Sequence, residues 1–166
     1  METLHTAVAP SALGWVLVAA TPRGLCALLL GDDVAPLQAD LRRRWPGATL
    51  AAGNAQVQAW ARQAADLVAA PQRPWALPLD IRGTPFQQRV WALLRTIPPG
   101  QTVCYGALAA RLGKPRAARA VAQACAANPL AVIVPCHRVV ASDGGLGGYR
   151  WGLARKRALL ALEAAA

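Results

Sequence analysis

The tetrapeptide Pro135-Cys136-His137-Arg138 brings together the residue types that could do chemistry in this sequence. A thiol beside an imidazole and a guanidinium lies in a positive field, which lowers a cysteine pKa from its usual value of about 8.5 and raises the thiolate fraction. We therefore predict that Cys136 is a nucleophile with a lowered pKa. A buried structural cysteine is the alternative that the residues themselves leave open.

His137 and Glu163 could complete such a site. Neighbouring side chains of an extended segment point in opposite directions, so His137 reaches Cys136 only if the chain turns or a water molecule lies between them. Glu163 is one of two acidic residues after position 81, and a carboxylate in such basic surroundings either holds a histidine or is solvated. A thiol hydrolase needs a base within direct reach and an oxyanion hole, so it is the least favoured use of this cysteine.

Neither a metal nor a cofactor is expected. The four cysteines lie 78, 21 and 11 residues apart, without the close pairs of a structural zinc site: Cys26, Cys104, Cys125 and Cys136. A ligand cluster of the last three with His137 is conceivable but not expected. No secretory signal is visible, so we expect reduced thiols and a cytoplasmic protein.

Positive charge is distributed unevenly along the chain. The 166 residues include 18 Lys and Arg against 8 Asp and Glu, for a net charge of +10. Residues 1–81 contain six of each sign, so the whole excess lies in residues 82–166, with 12 basic and 2 acidic residues. Such a surface favours a polyanion, and nucleic acid is the leading partner. We therefore predict a scaffold domain over 1–81 and a DNA-binding domain over 82–166.

Composition excludes two classes of protein. Hydrophobic residues make up 55% and charged residues 16% of the chain, which excludes intrinsic disorder. The apolar runs are far shorter than the about 18 residues that a membrane helix needs, so no membrane association is expected.

The first domain is predicted to be a small lobe with an antiparallel sheet and helices. Two apolar segments, Trp15–Val18 and Leu25–Leu30, flank a Thr-Pro-Arg-Gly turn and predict a hairpin. One helix is predicted from Asp32 or Asp33 to about Trp45, and another from Asn54 to about Ala70. The proline-rich segment 71–78 is predicted to be a linker.

The second domain is predicted to be mostly helical. Thr84-Pro85-Phe86-Gln87 is a capping box that should start a helix extending to Ile97. A helix-turn-helix, a buried strand that leads into Cys136, and a last helix follow at 105–127, 131–134 and 153–164. The fold class is therefore mixed α/β.

The second helix of the helix-turn-helix, over 116–127, indicates how DNA would be bound. It consists mostly of alanine, and Arg116 and Arg119 are its only long basic side chains. Such a helix can approach a sugar-phosphate backbone closely but can recognise little sequence. We predict sequence-independent binding in the minor groove of double-stranded DNA, with one arginine available to enter the base stack. A helix-turn-helix regulator without chemistry stays open at this point.

The segment Pro135–Val139 does not stand alone. It is accompanied by Tyr105, Arg119, Asn128-Pro129 and Gly148-Tyr149. Together these residues resemble the active-site motif and its surroundings in the O6-alkylguanine-DNA alkyltransferases. Further similarity to the C-terminal repair domain of the bacterial Ada proteins covers nearly the whole chain: Gly31-Asp32-Asp33, Leu77–Gly83, Phe86-Gln87-Gln88 and Tyr149–Gly152. The zinc-bearing N-terminal region of full Ada proteins has no counterpart in these residues, so phosphotriester repair and regulation are not implied.

The resemblance implies direct-reversal DNA repair, in which an alkyl group on O6 of guanine, or on O4 of thymine, moves irreversibly to Cys136, once per molecule. It implies that His137 accepts the thiol proton through a water molecule and that Glu163 orients His137. Tyr105 would protonate the departing guanine, and Asn128 would tie the active-site strand together. The alkyltransferase-like proteins bind alkylated DNA without reacting and carry Trp in place of the acceptor, so Cys136 argues against them.

The resemblance also implies DNA contacts. Arg119 would fill the gap left by an extruded nucleotide. Apart from the resemblance, nothing in the sequence requires a dimer, so a monomer is expected. The other expected DNA contacts are Arg116, Tyr105, Arg138 and Ala118.

Four residues are expected to bind the extruded base. The backbone carbonyls of Cys136 and Val139 would accept the exocyclic amine of guanine, the Arg150 amide would face O6, and Tyr149 would wall the pocket. Trp151 stands where some family members have Gly, which predicts a narrow pocket that favours methyl over bulky groups.

Overall fold

A computed structural model describes residues 2–166. The chain divides into two compact units, residues 1–81 and residues 82–166, so the structural boundary coincides with the change in charge. Each unit combines helices and strands. Among the described residues, no helix is both long enough and apolar enough to cross a bilayer.

A sheet organises residues 2–81. Its strands are β1 (Thr3–Ser11), β2 (Gly14–Thr21), β3 (Gly24–Gly31) and β4 (Thr49–Ala52), arranged in the order β3-β2-β1-β4. The hairpin predicted from the two apolar segments is confirmed, since β2 and β3 pair antiparallel. β1 also pairs antiparallel with β2, whereas β4 joins the other edge of β1 in parallel. Sequence reasoning missed β1 and β4, which contain polar residues, a proline and alanines rather than an apolar run.

Two helices pack against this sheet. They are α1 (Val34–Arg44) and α2 (Ala55–Ala69). The cap predicted for α2 is confirmed, because Asn54 Oδ1 accepts a hydrogen bond from the Val57 amide at 3.0 Å. Asp33 is the N-cap residue of α1, but its side chain makes no capping hydrogen bond.

The segment predicted as a linker is held against β3. The Leu25 amide donates to Pro78 O at 3.0 Å, and the Asp80 amide donates to Leu25 O at 2.8 Å. Gly24 permits this approach, since a Cβ at that position would lie 2.5 Å from the Pro78 carbonyl. Residues 78–80 are therefore part of the first unit rather than a free connection.

The second unit begins with α3 (Pro85–Leu94), and the capping box predicted at Thr84 and Gln87 is present. The helix ends three residues before the predicted end, while Ile97 remains buried in the turns that follow. The Trp91 indole donates to Ala124 O at 2.9 Å and so anchors the second helix of the helix-turn-helix.

That motif consists of α4 (Tyr105–Arg111) and α5 (Ala118–Ala126). Gly113, at φ +73°, supports the turn between them with a left-handed backbone. Arg116 lies in this turn and not on the helix, so the predicted start of the second helix was two residues too early.

The predicted strand over 131–134 is wrong, because the chain turns tightly there. The Ile133 amide donates to Ala131 O at 2.7 Å around Val132, whose φ is +69°. A second tight turn follows, in which the Cys136 amide donates to Val134 O at 2.8 Å. A β-branched residue favours extended backbone, but the side chain of Asn128 binds Leu130 N and Val134 O and draws the segment into turns.

A short strand lies after the cysteine rather than before it. Residues Cys136–Arg138 form one turn of 3₁₀ helix, and β6 (Val139–Val140) then pairs in parallel with β5 (Val103–Cys104). The last helix, α6 (Leu153–Ala165), packs against the 3₁₀ turn. The cysteine is thus positioned by two tight turns, a short strand pair and the last helix.

Candidate active site

Cys136 is buried, with 3% of its surface exposed, and the side chain of Asn128 contacts its sulfur. Asn128 Nδ2 donates to Cys136 Sγ at 3.2 Å and to Val134 O at 2.8 Å, while Asn128 Oδ1 accepts from the Leu130 amide at 2.8 Å. Asn128 therefore shapes the turns before the cysteine and also donates a hydrogen bond to the sulfur, where it would stabilise a thiolate.

The predicted low pKa of Cys136 is wrong. Burial raises the pKa of this thiol to about 11, and the Asn128 hydrogen bond and the charges of Lys156 and Arg150 offset burial only in part. His137 and Arg138 adjoin it in sequence, but neither brings a free positive charge to the sulfur, because both side chains bind Glu163. The resting protein therefore contains a protonated thiol.

Glu163 is the hub of a buried network. His137 Nε2 lies 3.1 Å from Glu163 Oε1, and Arg138 donates to both carboxylate oxygens through Nε, at 3.1 and 3.0 Å, and to Oε2 through Nη2. Burial works to raise the pKa of Glu163, but the hydrogen bonds and charges of His137 and Arg138 outweigh it and hold the pKa below its usual value. Glu163 is thus an anion at neutral pH.

The predicted DNA contact of Arg138 is wrong. The side chain is 6% exposed, and Nη1 donates to Ile97 O at 2.8 Å while the rest of the guanidinium binds Glu163. A guanidinium buried in this way cannot reach a phosphate. Arg138 instead joins the active-site turn to α6 and to the turns that follow α3.

His137 is placed to receive a proton. Burial lowers the pKa of His137 below its usual value, against the hydrogen bond and charge of Glu163, so the ring is neutral at rest. With the Glu163 carboxylate at Nε2, the hydrogen-bond network assigns the ring proton to Nε2. The other nitrogen, Nδ1, is buried and has no hydrogen-bond partner among residues 2–166, so its lone pair is available.

A cavity of about 280 Å³ opens beside the sulfur. It is small compared with the roughly 300–1,000 Å³ of ligand pockets in general. The residues that line it are Tyr105, Ala122, Cys125, Ala126, Cys136, Gly148, Tyr149 and Arg150. The structure therefore brings the sulfur together with three other residues that the sequence assigned to the site, Tyr105, Tyr149 and Arg150.

Two predicted substrate-binding residues do not line this cavity. Val139 is buried, and its carbonyl already accepts from Lys156 Nζ at 2.5 Å. Trp151 lies behind Tyr149, with the ring centroids 5.4 Å apart in an edge-to-face arrangement. The prediction that Trp151 itself narrows the pocket is wrong for this reason.

Lys156 and Cys125 are site residues that sequence reasoning missed. Lys156 is fully buried, and Nζ donates to the carbonyls of Val139, Gly148 (2.9 Å) and Leu146, so this one cation organises the loop that forms a cavity wall. The signal that could have found it is spacing, since Lys156 and Glu163 lie seven residues apart on one face of α6. Cys125 lines the cavity from α5, and burial raises its pKa to about 12.

The expected DNA-contacting residues lie around α5. Arg116 and Arg119 are exposed, and Ala118 is half-buried. Arg119 lies three residues before Ala122, which lines the cavity, so the two share one helix face. Arg119 itself is not among the residues that line the cavity, and its entry into a base stack stays a prediction.

The fold and the site define a protein that presents a helix-turn-helix and a cysteine in a small cavity beside it. The family model described as the DNA-binding domain of 6-O-methylguanine DNA methyltransferase matches residues 85–165. A crystal structure of the O6-methylguanine methyltransferase of Mycobacterium tuberculosis superposes with a TM-score of 0.78 at 37% identity and covers 98% of this chain and 93% of that one. The chain belongs to the O6-methylguanine-DNA methyltransferase family, and the mixed α/β fold expected from the sequence is confirmed.

Curated relatives agree with this assignment. The chain is 54% identical over 158 residues to the bifunctional transcriptional activator/DNA repair enzyme Ada of Escherichia coli, covering 95% of this chain and 45% of that protein. It is 60% identical over 85 residues to the methylated-DNA–protein-cysteine methyltransferase of Mycobacterium tuberculosis, covering 51% of this chain and 52% of that protein. The matches thus span about half the length of these relatives.

Proposed function

We propose that this protein repairs DNA by transferring a methyl or other alkyl group from O6 of guanine to Cys136, irreversibly and once per molecule. The observation that carries the proposal is the sulfur of Cys136 at the wall of a small cavity, with Asn128 bound to it. Relatives with this fold are named as a DNA repair enzyme and as a methylated-DNA–protein-cysteine methyltransferase. Alkyl transfer from O4 of thymine belongs to the same chemistry.

The thiol must lose its proton as the alkyl group arrives, because its pKa of about 11 keeps it protonated at rest. The free nitrogen of His137, Nδ1, is the acceptor, reached through a water molecule. The imidazolium that forms is stabilised by Glu163, which already holds Nε2 at 3.1 Å. One S–C bond forms as the C–O6 bond breaks, and the guanine leaves with the electron pair on oxygen.

The departing guanine needs a proton to be a good leaving group. Burial, together with the neighbouring Cys125, raises the pKa of Tyr105, so its hydroxyl is protonated at neutral pH. Tyr105 lines the same cavity and can give that proton to the base. Asn128 stabilises the thiolate during attack through its hydrogen bond to Sγ.

Double-stranded DNA is the proposed partner, bound in the minor groove without regard to sequence. The target base must leave the duplex to reach a buried sulfur, at a cost of a few kcal/mol. Arg119, exposed and three residues before Ala122 of the cavity lining, would occupy the gap, and the small side chain of Ala118 would let α5 approach the backbone. A 36%-identical structural neighbour with a TM-score of 0.78, the OGT of Mycobacterium tuberculosis, has been solved in complex with DNA, which supports this partner.

The protein is proposed to act once, as a monomer, in the cytoplasm. A thioether is not cleaved by water, so an alkylated Cys136 stays alkylated. One chain supplies the thiol, the proton acceptor and the DNA-facing helix. No disulfide joins any of the cysteines within residues 2–166, which fits a reducing compartment.

The decisive experiment is intact-protein and peptide mass spectrometry after mixing with a duplex that contains O6-methylguanine. We expect a gain of one methyl group per molecule on the peptide that contains Cys136, and no gain in Cys136→Ser. Cys104→Ser is the matched control, because Cys104 lies outside the cavity and serine is a good N-cap residue for α4. Binding of the duplex without any methyl gain would favour a DNA-binding regulator or an alkylated-DNA-binding protein instead.

The variant Arg119→Ala tests whether Arg119 enters the base stack of the duplex. This variant should keep its rate with the free alkylated base but lose much of its rate with the duplex. Equal losses with both substrates would contradict insertion of Arg119 into the base stack.

A further inference from the structure

A second thiol lies in the cavity that contains the alkyl acceptor. Cys125, from α5, and Cys136, from the active-site turn, both line this cavity of about 280 Å³. Both are buried, and neither takes part in a disulfide. The reaction proposed above uses Cys136 alone. The thiol of Cys125 is therefore a buried nucleophilic group to which that reaction gives no role.

Asn128 connects the two cysteines. Its backbone amide donates to Cys125 O at 3.2 Å, and its side-chain amide donates to Cys136 Sγ at 3.2 Å. Burial and, after it, the charge of an ionised Cys136 raise the pKa of Cys125 to about 12, so the two sulfurs interact across the cavity. A group bound to Cys136 inside the cavity therefore lies near Cys125 as well.

The wall that α5 contributes to the cavity contains one reactive atom. Ala122, Cys125 and Ala126 follow one another at spacings of three and one, which places them on adjoining positions of the helix surface. The methyl side chains of the two alanines cannot react with an electrophile. The sulfur of Cys125 is thus the only nucleophile on this wall.

Tyr105 is able to accept the proton of Cys125. It lines the same cavity, and burial, followed by the charge of Cys125, raises its pKa, which indicates that its hydroxyl lies near this thiol. In the proposed reaction Tyr105 gives its proton to the departing guanine and becomes a phenolate. A buried phenolate is a base that can take a proton from a neighbouring thiol.

We propose that Cys125 is a second acceptor, which captures alkyl groups that carry a leaving group at their far end and closes a bridge between the two sulfurs. The proposal rests on the proposed function, because Cys136 must first receive the group. Its Sγ forms one S–C bond as the C–O6 bond breaks. Cys125 Sγ then forms a second S–C bond as the carbon–halogen bond breaks. The halide leaves with the electron pair of that bond, and the proton of Cys125 passes to the phenolate of Tyr105.

Confinement makes the second step fast despite the high pKa of Cys125. Two groups held side by side react as if one of them were present at about 10⁵ M or more, when their geometry is favourable. A halide left on Cys136 would otherwise remain reactive next to DNA, whose bases are also nucleophiles. Capture by Cys125 ends the reaction inside the protein.

The probe is a duplex that contains O6-(trans-4-chlorobut-2-enyl)guanine, whose trans double bond keeps the chain from closing on its own base. A duplex with O6-(trans-but-2-enyl)guanine is matched to it but lacks the leaving group. Trypsin releases residues 120–138 as one peptide, because Arg119 and Arg138 delimit a segment without other Lys or Arg. Both thiols are therefore analysed together by tandem mass spectrometry.

We expect the chlorobutenyl duplex to give a bridged peptide, which has lost hydrogen chloride relative to the open product and retains no thiol for iodoacetamide. The butenyl duplex should alkylate Cys136 and leave Cys125 free. Cys125→Ser nearly keeps the size of the side chain but lacks the thiol, so its alkylated Cys136 should carry only the open chain. Cys104→Ser is the matched control, because Cys104 lies outside the cavity, and it should form the wild-type fraction of bridge.

Two results would overturn the second acceptor. One is wild-type protein in which the group on Cys136 stays open, and the other is a bridge that persists in Cys125→Ser. If Cys125→Ser does not fold, as judged by circular dichroism, the fragment ions of the wild-type peptide decide, because they show directly whether both cysteines are linked.

The two proposals fail in different ways. Wild-type protein that takes no group from either duplex, nor a methyl group from a duplex with O6-methylguanine, would refute the proposed function. Methyl transfer without any reaction of the chlorobutenyl duplex, or with the open product alone, would refute the second acceptor and leave the function standing.

Discussion

Cys136 should react with a small electrophile more slowly at neutral pH than an ordinary thiol, and its rate should keep rising far into the alkaline range. Burial raises its pKa to about 11, so at pH 7 only about one molecule in ten thousand is ionised. An exposed cysteine with a pKa of about 8.5 is ionised in about 3% of molecules. The more basic thiolate is about tenfold more nucleophilic, so the expected net slowing is about 20- to 30-fold before access to the buried sulfur is considered.

The assay is a series of short iodoacetamide pulses from pH 7 to pH 10.5, followed by peptide mass spectrometry of the segment that contains Cys136. In the folded protein the logarithm of the rate should rise by about one per pH unit throughout. In the same protein unfolded in urea, the rate should level off above about pH 9. Circular dichroism at each pH verifies that the protein is folded. A folded-state rate that levels off below pH 8 would refute the reasoning, because it would mean a thiolate at rest.

Two further predictions concern stability. Glu163→Gln leaves the buried guanidinium of Arg138 without its anion, so urea denaturation should show that the free energy of unfolding falls by about 3–5 kcal/mol. The double variant Glu163→Gln/Arg138→Met should recover part of this free energy. A decrease of less than about 1 kcal/mol would contradict the role of the buried network. Above pH 9 the unfolded chain has lost thiol protons that folded Cys136 and Cys125 retain, so the free energy of unfolding should fall with rising pH. Each thiol contributes a slope of about 1.4 kcal/mol per pH unit to the free energy of unfolding, so Cys125→Ala should halve the total slope. A free energy of unfolding that stays constant from pH 9 to pH 10 would disprove the raised pKa values.

The features that could be predicted from the sequence depend on neighbours along the chain. The capping box at Thr84 and Gln87 and the cap at Asn54 were predicted correctly because each is settled within three residues. The hairpin that contains Leu25–Leu30 follows from a turn between two apolar runs. In each case local physics and the final fold agree.

The features that were missed depend on distant parts of the chain. The segment 131–134 has a strand composition, but the side chain of Asn128 binds its backbone and bends it into turns. Arg138 lies two residues after Cys136 in the sequence, yet its guanidinium pairs with Glu163, 25 residues away. Sequence proximity therefore predicted a positive field at Cys136 that the folded molecule does not supply.

Lys156 shows the same limit. Its neighbours Arg155 and Arg157 make the segment look like a solvated basic run, whereas its ammonium group is buried among three carbonyls of the preceding loop and strand. The seven-residue spacing of Lys156 and Glu163 indicates a shared face of α6, but it does not show that this face is buried. A buried cation without a carboxylate beside it in sequence is hard to infer from one chain.

The deep, protonated position of Cys136 affects how long an unused molecule survives. A cell contains peroxides, aldehydes and other oxidants and electrophiles that consume exposed thiolates. A protein proposed to react a single time would be spoiled for good by any such encounter. Because the sulfur is 3% exposed and its pKa of about 11 leaves it protonated at neutral pH, the molecule can wait between lesions without being consumed in side reactions.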